Sequence, residues 1–354
     1  MNTVQVSIVI PVKDGEAFLP STLSSLLTQS TSAAFEICIY DDGSSDRTPE
    51  IVDQFRGRFQ AAKIPLKYER GEQSGGVGFA KNRACLLAEG EFLCFNDADD
   101  ISHEFRIERQ YEIARKIAED GKMVFVGCNV VRDPPDSTER YVRWANQLTD
   151  EDLTIDIYSS HGPTILAPTW FISRSLFLAL DGFNEDHKTG FPEDLDFFYR
   201  ALDREDVVFR KSPEILVTYR YHPGCASFGV DDDTIFRMRL NRLQSEVLSS
   251  WEKFSVKFPE KKNLKNLDFG NLTDEEKRKI VEFCDVDENK LKARWMQQYD
   301  GSTRRLKWRI KMVHIRLATP PLVICVKRDL TSGGLEENIA KSQFRHGTDF
   351  VHFG

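Results

Sequence analysis

The sequence predicts an α/β protein, a mostly parallel sheet flanked by helices and followed by a smaller α/β layer. Apolar, β-branched runs alternate with segments of helical periodicity, each run ends in a polar turn, and the apolar pattern resumes after a Lys-rich interruption near residues 257–266. Val4 to Ile10 is the first strand, closed by Pro11, and "EAFLPSTLSSLLTQS" then sets Phe18, Leu19, Leu23, Leu26 and Leu27 at helical spacing. "FEICIYDDGSSDRTPEIVDQF" repeats strand, turn and helix, with Pro49 suited to a first helical turn. "GGVGFAKNRACLLAEG" is a further helix, and "EFLCFNDADD" a strand that surfaces into acid. After Val124 the pattern loosens, with "RDPPDSTERYVRW" read as an extended loop. The helical stretch "TIFRMRLNRLQSEVLSSWEKF" leads toward "KIVEFCDVDENK" and "PPLVICVKRDL" as strands, "GLEENIAKSQF" as a helix and "TDFVHF" as a last strand. The expected division is a catalytic domain over 1–228, a helical connector over 229–268 and a small α/β domain over 269–354.

Composition narrows the function classes. At 354 residues, 40% hydrophobic and 29% charged, with no apolar run near the length of a membrane helix, the chain reads as globular and without a transmembrane anchor. "MNTVQVSIVIPV" lacks a basic leader region and reads as a strand rather than a signal peptide, so a cytoplasmic location is expected. The seven cysteines lack Cys-x-x-Cys spacing and mostly sit in apolar runs, as buried reduced thiols do. A formal charge of -8 argues against broad attraction to nucleic acid, but nine basic residues against one acid between Asn289 and Arg316, interleaved with Trp295, Tyr299 and Trp308, are either a polyanion surface or a solvated helix face.

Five motifs have the residue types for chemistry. In "YDDGSSDRT" the pair Asp41 and Asp42 ends a strand and can accept hydrogen bonds from a base or ribose; the alternative is a capping turn. "GGVGFAKNRA" offers free backbone N–H groups and Lys81 to a diphosphate, or is an ordinary loop. In "CFNDADD" the strand period of two points Asp97 and Asp99 the same way, toward one hard cation such as Mg or Mn. Spacing does not select this triplet, because Asp150/Asp152, Asp194/Asp196, Asp231/Asp233 and Asp285/Asp287 share it. In "GFPEDLDFFYR" Glu193 and Asp194 open an aromatic helix, where a carboxylate can serve as a general base or simply stabilise the first turn. His222 in "TYRYHPGCAS" is a metal or phosphate contact or a structural histidine.

Taken in order, these motifs resemble family 2 glycosyltransferases of the GT-A fold, over residues 4 to about 225. The resemblance implies that Asp42, with Asp41, reads the uracil, that Pro11, Val12, Asp14 and Ala98 line the nucleotide pocket, and that Lys81 lies near the diphosphate. It further implies Asp99 and Asp97 as cation ligands with His222 as another, and Asp194, beside Glu193, as the base that deprotonates the acceptor. "RDPPDSTERYVRWANQLT", "GPTILAPTWF", "FPEDLDFFY", "FCDVDENK" and "PPLVICVKRDLTSGG" resemble a eukaryotic subgroup, the queuosine-tRNA galactosyltransferases, nearly end to end. That likeness implies galactose transfer from UDP-galactose, with a divalent cation, to the cyclopentenediol of queuosine in the anticodon of tRNA-Tyr. Arg132, Arg140, Arg143, Trp144 and Trp170 are then expected on the acceptor side, and the 289–316 stretch against the tRNA backbone. The rivals are a transferase using UDP-N-acetylglucosamine or another UDP-sugar on a glycan or protein, and a non-catalytic RNA-binding descendant of the fold.

Overall fold

The structure is a computed structural model that describes residues 4–257, 270–287, 291–292, 294–299, 306–326 and 334–353. Lys290, Arg304 and Arg305 of the basic stretch, and most of the Lys-rich segment, lie outside the described residues. The chain divides into two compact units, Met1–Thr154 with Gly162–Asp231, and Ile155–His161 with Asp232–Gly354.

The first unit runs β1 (Val6–Val12), α1 (Leu19–Leu27), β2 (Phe35–Asp41), α2 (Thr48–Ala61), β3 (Leu66–Arg70), α3 (Val77–Leu86), β4 (Phe92–Phe95), β5 (Ile101–Ser102), α4 (Arg106–Glu119), β6 (Met123–Asp133), α5 (Glu139–Gln147), α6 (Asp152–Ile155), β7 (Phe171–Ser173), α7 (Arg174–Ala179), α8 (Glu193–Leu202) and β8 (Val207–Arg220). Its sheet has the order β3-β2-β1-β4-β7-β6-β8-β5. The first four strands are parallel, whereas β7 runs antiparallel to both β4 and β6. Both faces of β1, β2 and β4 are covered, which is why these strands are continuously apolar rather than alternating. Helix α2 shows how the cover is made: Ile51, Val52, Phe55 and Phe59 recur on one face and are buried, while Asp53, Arg56 and Arg58 fall outside it. Burying a side chain such as Phe59 stabilises the fold by about 1.5–3 kcal/mol.

Strand order rises from β1 to β3 on one side of β1 and continues with β4 on the other. The carboxyl ends of β1, β2 and β4 therefore open at a switch point, where connections diverge and leave a crevice. "RDPPDSTERYVRW" departs from the expected loop, because β6 continues to Asp133 and α5 begins at Glu139.

The second unit contains α9 (Asp232–Arg242), β9 (Phe254–Lys257), α10 (Asp274–Lys279), β10 (Ile280–Asp285), β11 (Trp295–Tyr299), β12 (Leu306–His314), β13 (Leu322–Ile324), α11 (Gly334–Ser342) and β14 (Phe350–His352), with sheet order β11-β12-β10-β9-β13-β14. The expected connector over 229–268 is thus not a separate piece. Its helix belongs to this unit and β9 pairs with both β10 and β13, so the boundary falls near residue 231. β9 is four buried residues with no alternation, so its sequence carries no strand period. Thr273 caps α10 through a capping box with Glu276. The basic stretch contains a β-hairpin, not a helix face, with exposed Trp295 under the Arg309 guanidinium at 4.2 Å. Among the described residues no helix is long and apolar enough to cross a membrane.

Candidate active site

The crevice is built first from the ends of β1 and β2. Asp14 takes a left-handed backbone (φ 49°), its N–H donates to Ser44 Oγ at 2.8 Å, and its Oδ1 accepts from the Ser45 N–H at 2.7 Å. Asp41 is fully buried: Oδ1 accepts from the Ser44 N–H at 2.8 Å and Oδ2 from the Tyr68 hydroxyl at 2.9 Å. Asp42 has both carboxylate oxygens engaged by the Gly-rich loop, from Ser74 Oγ at 2.6 Å, Gly75 N–H at 2.8 Å and Gly76 N–H at 3.1 Å. Gly76 has to be glycine, since it combines φ 100° with a Cβ position 2.6 Å from the Lys188 carbonyl oxygen. The acids expected to read a base therefore anchor two turns here. Val12 likewise turns inward, and its carbonyl accepts from the Asp42 N–H at 2.8 Å, so it offers the pocket no side chain.

The acidic turn after β4 is held from behind by a residue that the sequence did not single out. Arg106 is fully buried and donates to the carbonyls of Phe95 at 2.6 Å and Pro168 at 2.8 Å, to Asn96 Oδ1 at 3.0 Å and to Gln110 Oε1 at 3.1 Å. Arg106→Met should destabilise the protein by about 3 kcal/mol or more, read by urea unfolding, because it orphans several buried acceptors at once. An arginine in an amphipathic helix start carries no sequence signal of burial.

Asp97, Asp99 and Asp100 present oxygens within 4.8 Å of one another. Burial pushes Asp97 up to about 6, opposed by the charge of Lys81. Asp100 is fully buried and pushed well above the carboxylate range, first by burial and then by Asp97 and Asp99. Its Oδ1 accepts from the Arg220 N–H at 2.8 Å, while Oδ2 has no hydrogen-bond partner among the described residues. A raised carboxyl is unfavourable at neutral pH, and that penalty disappears as the group protonates. Asp100→Asn should accordingly raise Tm by about 2 °C near neutral pH in chelator, with a gain that shrinks on acidification.

Across the crevice, α8 presents Glu193 and Asp194 in its first turn. Asp194 is half-buried, its Oδ1 accepts from the Leu195 N–H at 2.7 Å, and its carboxyl is pushed up to about 6 by burial and then by Glu193. Lys81 differs from its expected place. It is buried and donates to Glu193 Oε1 at 2.7 Å over the Phe183 ring, so it faces carboxylates rather than an open diphosphate pocket. Burial works against its charge, but Glu193, Asp97 and Asp194 together raise it. Glu193 is correspondingly the buried partner of Lys81 rather than a free base. At the end of β8, His222 Nε2 lies 2.8 Å from Asp99 Oδ2.

The expected acceptor residues separate. Trp170 is fully buried, ringed by Phe95, Phe125, Phe183 and Phe197, with Nε1 donating to the Ile165 carbonyl at 2.7 Å; it is core and cannot stack on a substrate. Arg132 is also buried, stacked on Tyr219 at 3.7 Å and bound to Thr138 Oγ1 at 3.0 Å, because its strand continues farther than expected. Arg140 and Arg143 are exposed on α5, and Trp144 is half-buried against Tyr141. Pro11 and Ala98 stay at the crevice, partly exposed.

Residues 7–180 match the model of Glycosyl transferase family 2. That segment is a family 2 glycosyltransferase domain. The chain is 29% identical over 234 residues to the uncharacterized glycosyltransferase EpsJ of Bacillus subtilis, covering 62% of this chain and 64% of that protein. It is 28% identical over 222 residues to an uncharacterized glycosyltransferase of Rickettsia typhi, covering 61% and 64%. Over 96 residues it is 38% identical to the poly(ribitol-phosphate) β-N-acetylglucosaminyltransferase TarS of Staphylococcus aureus, covering 27% and 16%. The chain thus spans 64% of the length of the curated relatives matched over the longest segments. Among solved structures, S. aureus TarS in complex with UDP-GlcNAc is similar at TM-score 0.53 and 21% identity, covering 68% of this chain and 66% of that one. This likeness establishes the GT-A fold of the family 2 domain, as the sequence predicted.

Proposed function

We propose that the chain is an inverting, cation-dependent glycosyltransferase that moves galactose from UDP-galactose to a cyclopentenediol hydroxyl of queuosine in tRNA-Tyr. One observation supports the chemistry above the others: Asp194, a carboxyl pushed to about 6, shares the crevice of a family 2 domain with a three-carboxylate cluster. A base of that strength is ionised at neutral pH yet still accepts a proton in a transition state. The galactose and queuosine assignments rest on the five segments that resemble the queuosine-tRNA subgroup.

The acidic cluster fits a hard divalent cation, Mn or Mg, because its donors are carboxylate oxygens and one of them, Asp100 Oδ2, is buried with no hydrogen-bond partner among the described residues. Asp99 and Asp97 would hold the ion, which when bound offsets charge on the UDP leaving group. Asp194 takes the acceptor proton as the acceptor oxygen bonds to the anomeric carbon and the bond to the diphosphate breaks. Lys81 keeps Asp194 and Asp97 from protonating further, with Glu193 fixing its position. Asp42 and Asp41 would meet the nucleotide through the turns they hold, the Asp42 carboxylate trading a loop contact for the base. Arg140 and Arg143 on α5 and the Trp295–Arg309 hairpin are candidate tRNA contacts. A cytoplasmic location belongs to the same proposal, since a tRNA acceptor is found there.

A second reading has its own support: the segment shared with TarS favours UDP-N-acetylglucosamine as donor and a non-tRNA hydroxyl as acceptor. A matrix of UDP-galactose and UDP-N-acetylglucosamine against queuosine-containing tRNA-Tyr, the same tRNA lacking queuosine, and ribitol phosphate polymer separates the two, with UDP release as readout. The proposal expects release above background only with UDP-galactose and queuosine-containing tRNA. Release with the sugar polymer and not with tRNA overturns it.

A further inference from the structure

Beside the carboxylate cluster lies a donor set of different chemistry. Asp99, His222 and Cys225 each offer one ligand atom, and the three atoms fall within 4.8 Å of one another. The turn after β8 makes this juxtaposition. The Cys225 N–H donates to the His222 carbonyl at 3.0 Å, which folds the thiol back, and the His222 N–H donates to Sγ at 3.3 Å. Six of the seven cysteines are buried; Cys225, whose Sγ also lies 3.7 Å from the Arg220 carbonyl, is the partly exposed one.

We propose that Cys225 is a further protein donor to the divalent cation at Asp99 and His222, one that strengthens the binding of borderline or soft ions such as Zn, Co or Cd and is not needed for the hard ions that the carboxylates hold. Ligands at about 2.0–2.3 Å from one ion lie roughly 3–4 Å apart, so side-chain rotation closes a 4.8 Å set. Mg holds to oxygen donors in octahedral geometry, whereas thiolate and imidazole favour the later divalent ions. The Gly224 N–H donates to Nδ1 at 3.1 Å, which leaves the ring proton on Nε2 and directs it at Asp99. Binding moves that proton to Nδ1, opens the contact with exposed Gly224, and releases the thiol proton to solvent.

This inference rests on the reading of Asp99 as a cation ligand, and a binding experiment tests the two separately. Chelator-stripped full-length protein is titrated with Co, and Cd and Mg affinities are measured by calorimetry. The wild type should show a sulfur-to-cobalt charge-transfer band that Cys225→Ser abolishes. In that variant the Cd affinity should fall about tenfold or more, while the Mg affinity stays within about twofold. Serine keeps the backbone contacts of the turn, and an unchanged melting curve confirms that the variant is folded. Co bound without the band, or Cd affinity unaffected by Cys225→Ser, overturns the role of Cys225 and leaves Asp99 as a ligand. Co affinity unaffected by Asp99→Asn overturns the cation site itself.

Discussion

Asp194→Asn is expected to lower glycosyl transfer about 10³-fold while UDP-galactose binds within about twofold of wild type. The amide preserves the size of the side chain and the contact with the Leu195 N–H, but it cannot accept the acceptor proton. The pH dependence follows from the same group. Its carboxyl is raised to about 6, so the active, ionised form predominates above that value. kcat/KM should be level near neutral pH and fall about tenfold per pH unit on the acid side. Comparable losses of transfer and donor binding in Asp194→Asn would place the residue in substrate binding instead.

The second large effect concerns the buried cation. Lys81→Met should destabilise the protein by about 3 kcal/mol, because it leaves Glu193 buried without its partner. It should also move the acid limb of kcat/KM to higher pH, since Lys81 opposes the upward push on Asp194 and Asp97. Lys81→Met combined with Glu193→Leu tests both effects. Replacing both partners removes the uncompensated charge, so stability should return to near wild type, as measured by urea unfolding. Glu193 pushes Asp194 up while Lys81 holds it down, and Glu193 is the larger influence, so the double substitution should return the acid limb to the wild-type position or to lower pH. Stability restored with the acid limb still at higher pH would contradict this balance of charges on Asp194.

Elements with strong local signals were legible in the sequence. β1, β2 and β4 are uninterrupted apolar runs, and their ends carry the Asp41-Asp42 and Asp97 to Asp100 turns. Order along the chain selected Asp97–Asp99 and Asp194 from five equal triplets, because alternating strands and helices deliver successive turns to one edge of the sheet. What escaped was set by long-range packing. The Lys81–Glu193 pair joins residues 112 apart, and nothing local distinguishes a buried lysine from one facing a diphosphate. Trp170 is expected on the acceptor side, yet four phenylalanines from four different segments close around it. Arg106 has the same character, its burial decided by carbonyls at Phe95 and Pro168. β11 carries little signal because an edge strand exposed on both sides needs no apolar alternation.

The most direct measurement is the mass of the queuosine nucleoside recovered from tRNA-Tyr after incubation with UDP-galactose and either the wild-type protein or Asp194→Asn. Addition of one hexose by the wild type and none by the variant is the predicted result. An unmodified queuosine with the wild type, or equal modification by both proteins, would contradict the account.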